Sequence, residues 1–258
     1  MSNFNAQDKV TTSKHPEMHA PDVHSLPVKL PEPFGDYIQG DWYADPELAE
    51  LADEDGTLMN MRNAHRLYRE GLQKLRAAME TRSPEESEGA HFLQSRKIAD
   101  RWLKEAAETS DRARQRAESD LTAVKLDIQK DLKLDESPRA GEVRQMFREM
   151  SDEDRITALN RAIEAGDNEV MGAVIAGSPM LSGLDRETVD RMHKVYTEKH
   201  APQLVKRQRA LEKALKVNQN ASLEALENVS ELFPRDKMRR ISDQAEKARK
   251  AREEAMNL

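Results

Sequence analysis

Leu58, Met61, His65, Tyr68, Leu72, Leu75 and Met79 recur at alternating spacings of three and four. That rhythm draws one apolar seam and predicts a helix over 57–82. Upstream, Asp45 is a suitable N-cap and Pro46 a suitable first helical residue. Together they start a short acidic helix, PELAELAD, stopped near Asp55-Gly56. Downstream, Ser83-Pro84-Glu85-Glu86 combines an N-cap, a first-turn proline and a capping-box glutamate. It predicts a helix from 84 to about 134, with Phe92, Ile98, Trp102, Ala106, Ala113, Ala117, Leu121, Val124, Ile128 and Leu132 as apolar positions. Between Glu105 and Asp120 the only apolar groups are alanines, which favour helix but bury little area. The two helices share the Ser83-Pro84 corner and should form an antiparallel hairpin, the longer overhanging the shorter.

Ser137-Pro138 restarts the pattern. Val143, Met146, Phe147 and Met150 form one stripe, and Ser151 caps an acidic first turn leading to Ile156, Leu159, Ala162 and Ile163. Gly166 stops that helix, Asp167 caps the next, and Gly177 stops it in turn. Residues 137–184 thus read as three short helices and a compact core. A longer helix from Asp185 through Val189, Met192 and Tyr196 should end near His200, because Pro202 cannot continue it. It resumes through Leu204, Leu211, Leu215 and Val217. Asn218 to Asn220 should break it, with Ser222 capping a further short helix. Phe233-Pro234 makes a corner, and a last helix over 236–256 has only Met238, Ile241 and alanines on its apolar side. No alternating run suggests a strand, and no repeat of fixed length is evident. The expected fold is all-α: an elongated helical hairpin and a small helical bundle, behind an extended proline-rich N-terminal arm. The expected division is an arm over 1–44, the hairpin over 45–136, the short-helix core over 137–200 and charged helices over 201–258.

Charge changes this picture at one end. The 258 residues hold 41 Lys+Arg and 48 Asp+Glu, a net charge of −7. Residues 1–56 alone hold three basic and twelve acidic side chains, a balance of −9. The rest is a near-neutral polyampholyte. Six of the eleven prolines lie in the same stretch, so 1–44 is expected to be extended. Its end carries Phe34, Tyr37, Trp42 and Tyr43, more aromatic character than a free tail normally has. This cluster either packs on the chain's own helices or docks on a neighbouring subunit.

Composition closes several doors. With no cysteine there is no disulfide framework, thiolate zinc site or thiol nucleophile. Val170 to Leu184, the longest uncharged run, is shorter than the roughly 20 apolar residues a bilayer requires. The N-terminus has no apolar signal core, which points to the cytoplasm or the inside of a particle. Gly172 and Gly177 have P-loop spacing, but Ser178-Pro179 follows where lysine and a hydroxyl residue are needed; both glycines read as helix stops. GSPMLSG holds two serines outside any nucleophile-elbow context and reads as a loop. His15, His19 and His24 are separated by prolines that deny them a helix. His65 falls on the seam and reads as a core residue, and His193 and His200 have no evident carboxylate partner. Asp53-Glu54-Asp55-Gly56 lacks the distal glutamate of a calcium loop. No catalytic group, cofactor or metal is expected.

The chain resembles helical assembly and virion proteins of tailed bacteriophages, of scaffolding or ejection type, in being cysteine-free, charged, helical and poor in aromatics. Residues 162–202, AIEAGDNEVMGAVIAGSPMLSGLDRETVDRMHKVYTEKHAP, are similar to phage-encoded proteins of unassigned role. The resemblance implies a structural, oligomeric protein with other subunits as partners. On this reading the arm docks through Phe34, Tyr37, Trp42 and Tyr43, steered by Asp45, Glu47, Glu50, Asp53, Glu54 and Asp55. Two alternatives stand beside it. The acidic segment 43–56 could imitate a nucleic-acid backbone and occupy a basic groove. Alternatively, the bases of 204–254 could meet phosphates, although acids are interleaved among them.

Overall fold

The computed structural model describes Trp42, residues 46–134 and residues 137–256. Among these residues there are nine α-helices and no strand, so the chain is all-α as its pattern predicts. They are α1 (Pro46–Glu54), α2 (Gly56–Glu80), α3 (Glu88–Asp131), α4 (Ala140–Glu149), α5 (Asp152–Ala165), α6 (Asn168–Ala176), α7 (Arg186–His200), α8 (Pro202–Leu232) and α9 (Arg235–Met256), with a 3-10 turn at Pro179–Ser182 before α7. None of these helices is long and apolar enough to cross a membrane. The described residues group into two compact units, one from 42–68 and 105–223, the other from 69–104 and 224–256.

In the second of these units, α2 and α3 meet at a corner that starts later than the capping motif suggests. Ser83-Pro84 opens a turn, closed by the Glu86 amide on the Ser83 carbonyl at 3.0 Å. The cap of α3 is Ser87, whose hydroxyl accepts the Ala90 amide at 3.2 Å. His91 secures the corner, with one ring nitrogen 3.1 Å from the Met79 carbonyl and the other 3.2 Å from the Glu86 carboxylate. Beyond the corner the helices run close. A side chain at Gly71 would overlap the Trp102 indole, its Cβ falling 1.7 Å from Nε1. Phe92 and Phe233 pack with ring centroids 5.2 Å apart. The Lys237 ammonium stands 5.5 Å from the Phe92 ring, and the Arg96 guanidinium 5.5 Å from that of Phe233. Its place over an aromatic face explains how Lys237 is buried on a helix with so few apolar side chains. From Ser242 to Met256, α9 is exposed on every side.

Where α2, α3 and α8 meet in the larger unit, many contacts are thin. Ala64, Ala106, Ala113, Ala117, Ala210, Ala214 and Ala221 are all buried in it. Helix α8 runs through Asn218 without a break, contrary to the sequence expectation, and Ser222 lies inside it. The cause is tertiary. Asn218 is 3% exposed. Its amide donates to the Met61 carbonyl at 2.9 Å, and its carbonyl oxygen accepts the Ser110 hydroxyl at 3.1 Å. Bonds to α2 and α3 replace the local backbone bonds by which an asparagine usually disrupts a helix.

The short helices α4–α7 follow their punctuation. Ser151, Asp167 and Asp185 accept the amides of Asp154, Val170 and Thr188 at 3.2, 3.0 and 2.7 Å. Gly166 closes α5 in the left-handed conformation, φ 69°. Beside it the His200 Nε2 donates to the Ile163 carbonyl at 2.7 Å, since a carbonyl can only accept. Gly172 is a correction: it lies inside α6 and is buried, so only Gly177 acts as a stop. α4 packs on α6 and on the 3-10 turn.

Asn218→Ala leaves two buried partners short of a bond, at a cost of about 1–3 kcal/mol in urea unfolding monitored by circular dichroism. A midpoint unchanged from the parent would show the node to be incidental.

Candidate interaction site

Phe34, Tyr37, Tyr43, Asp45 and the Glu47 side chain lie outside the described residues. The remaining candidates are Trp42, Glu50, Asp53, Glu54 and Asp55. Trp42 is 1% exposed, with its ring 6.0 Å from that of His65 on α2. It packs on its own chain, and His65 is indeed a core residue. α1 follows the same route, burying Leu48 and Ala52.

The acids of α1 and its junction with α2 face bases of the same unit. Glu50 meets Lys206 at 3.6 Å and Asp53 meets Arg62 at 2.6 Å. Asp55 works with both oxygens. Oδ1 accepts the Thr57 and Leu58 amides at 2.8 and 3.2 Å, which makes Asp55 the cap of α2. Oδ2 accepts from Arg207 Nε at 2.6 Å. Arg207 also donates to Asp120 at 3.3 Å, and the Thr57 hydroxyl donates to the same Asp120 oxygen at 2.7 Å. Arg116 pairs with the other Asp120 oxygen at 3.3 Å. Burial pushes the Asp55 carboxyl up, but the Arg207 hydrogen bond, the two amides and the Arg207 charge outweigh it and hold its pKa below the ordinary value. Glu50, Asp53 and Glu54 are all exposed, and Glu54 stands at the lip of a depression of about 680 Å³ that Asp55, Thr57, Asn60, Arg116, Asp120 and Arg207 also line. Two arginines, Arg116 and Arg207, there face three acids, Glu54, Asp55 and Asp120. Among the described residues no cluster of three or more His, Asp or Glu side chains is arranged to hold a metal.

The bases of 204–216 are engaged in the same way. Lys206 and Arg207 hold the acids just named, and Arg209 pairs with Glu198. Their sequence neighbourhood is basic, yet much of that charge is answered within the unit.

A feature the sequence did not mark lies in GSPMLSG. It is no plain loop: Pro179–Ser182 form the 3-10 turn, closed by Gly183 at φ 68°. Two arginines bracket it. Arg144 donates to the Ala173 carbonyl at 3.1 Å and lies where a Gly177 side chain would go. Arg155 donates to the carbonyls of Phe147, Met150 and Gly183 at 2.7, 2.9 and 2.7 Å, and lies against Gly183. Ser182 is wholly buried. Between these fixed ends Met180 is 84% and Leu181 45% exposed, and on the adjoining α4 Met146 is 45% exposed.

One histidine titrates in an unusual setting. Burial lowers the His193 pKa below its ordinary 6.5, and the charge of Asp190, one turn back, only partly offsets this. Its buried Nε2 has no hydrogen-bond partner among the described residues. The folded chain therefore favours neutral His193, while the unfolded chain takes up a proton first as pH falls. The stability that His193 contributes is complete well above pH 6.5 and is lost as pH falls through that value, until the folded histidine protonates too. Urea midpoints measured at about pH 7.5 and about pH 5.5 should fall less in His193→Gln than in the parent. Equal falls would remove His193 from the account.

No protein-family model, curated protein or solved structure gives a significant match to this chain.

Proposed function

We propose that this chain is a non-enzymatic assembly protein that joins further copies of itself, and other subunits, through apolar surface and its N-terminal arm. The observation that carries the reading is the Met180-Leu181 turn. Apolar side chains displayed at a tip whose two ends are fixed by arginine and glycine form a preorganised contact, and exposed apolar patches mark interaction surfaces. Trp42 adds support for the arm. Its burial gives the segment before it a firm root on the helical body, and that segment keeps Phe34 and Tyr37 as anchors.

Imitation of nucleic acid by the acidic segment has less support, because Glu50, Asp53 and Asp55 are turned to the chain's own bases. Phosphate binding by 204–216 has less for the same reason.

Two variants test the assembly reading. Removing residues 1–41 spares Trp42 and should lower the assembled mass in light scattering while the circular dichroism of the helices persists. Met180→Asp with Leu181→Asp should do likewise, since a charge at an apolar contact is costly. Parental mass in both variants would refute the reading.

A further inference from the structure

We propose that the seat occupied by Trp42 and α1 is also the site at which Trp42 and α1 of a second copy dock, so that copies are joined by exchange of this latch. The proposal rests on the assembly reading and names a further contact.

The seat has both apolar and charged parts. Trp42, Leu48 and Ala52 are buried in it, and Glu50, Asp53 and Asp55 meet Lys206, Arg62 and Arg207. Glu50 and Asp53 on the latch meet bases on the seat, which is complementary charge. Such contacts do not depend on which copy supplies the latch, and exchange of an identical element is a low-cost route to association.

What decides between the two arrangements is the pivot. The Asp55 amide bonds to the Leu51 carbonyl at 2.8 Å, and the Met59 amide to the Asp55 carbonyl at 2.9 Å. Both are ordinary helical bonds. Between them the ladder is interrupted, and Asp55 Oδ1 takes the Thr57 and Leu58 amides for itself. One side chain thus stands between the observed break at Asp55 and a single continuous helix. Gly56 adds to the weakness, since it disfavours helix and a Cβ there would meet nothing within 4 Å. In the continuous form α1 projects from its own α2 and can be seated only by another copy. Arg207 favours the broken form by holding the second Asp55 oxygen.

The absence of cysteine makes the test clean. Glu50→Cys is placed in one chain and Lys206→Cys in another, both with the native hinge, and the two are mixed and treated with a short bis-maleimide, whose span bridges thiols at the roots of this ion pair. A covalently linked heterodimer on a denaturing gel is expected, with far less from Glu54→Cys, an exposed neighbour that does not meet Lys206. Adding Asp55→Ala and Gly56→Ala to both chains should raise the yield several-fold. A chain carrying Glu50→Cys and Lys206→Cys together reports the closed latch by linking within itself. Linkage within one chain but none in the mixture overturns latch exchange, as does no linkage in either. If the hinge variant fails to fold, the native-hinge mixture decides alone. Light scattering on the same samples separates the two claims: an oligomer without cross-linked heterodimer refutes the exchange and leaves the assembly reading standing, whereas a monomer refutes both.

Discussion

The bond from the Asn218 amide to the Met61 carbonyl exists only because alanines let helices approach until a side chain of one reaches the backbone of another. That close approach has a consequence for the larger unit. Alanine layers bury little area, and one alanine layer looks much like the next, so apolar packing alone specifies register weakly. A buried amide with a fixed acceptor and a fixed donor does not tolerate a slide of one turn, because both partners would be left unsatisfied in a low-dielectric setting. Asn218, with Ser110 on α3 and Met61 on α2, therefore ties the register of three helices at one point. The Asp55–Arg207–Asp120–Thr57 group ties the same three helices at another.

The short helices solve the same problem by different means. They bury larger side chains, among them Phe147, Leu159, Ile163, Met171 and Val174, so packing itself is specific. Their difficulty is the number of helix ends, each with backbone groups to satisfy. Ser151, Asp167 and Asp185 answer the amino ends, and Arg155 and His200 answer carboxyl ends. Arg155 reaches three carbonyls from two elements, and its cationic donors make these bonds stronger than neutral ones. One result is that the turn bearing Met180 is held rigidly although its tip is in water.

How much of this the sequence showed depends on distance along the chain. Caps at Ser151, Asp167 and Asp185 were legible because cap and amide lie three residues apart. The seam of α2 was legible because it is periodic. The Ser83-Pro84 cap misled because a second serine, Ser87, stood four residues on, and the ties of His91 to Met79 and Glu86 favour the later start. Asn218 misled because its partners are 108 and 157 residues away, and a local rule sees only a helix breaker. Lys237 and Arg155 carry no mark in the sequence, because an aromatic partner far along the chain and carbonyl acceptors leave no local signature. Of the candidate interaction residues, the sequence marked the acids correctly as charged and grouped. It did not show that three of them have basic partners within one unit.

That last point alters what the acidic N-terminal stretch means. By sequence alone, −9 over residues 1–56 sets an acidic object against a neutral body. In the fold, Glu50, Asp53 and Asp55 neutralise Lys206, Arg62 and Arg207, so α1 is electrostatically part of the body. Glu50 and Asp53 stay largely exposed, so salt screens their pairs, whereas the less exposed Asp55–Arg207 pair is screened less. The acidity of 45–56 is better understood as the device that seats α1 than as a lure for a partner. Partner-facing chemistry outside this latch then has to come from elsewhere, and the bracketed Met180-Leu181 turn is apolar. A contact of that kind gains its energy from area removed from water and is indifferent to the charge that first drew attention to the chain.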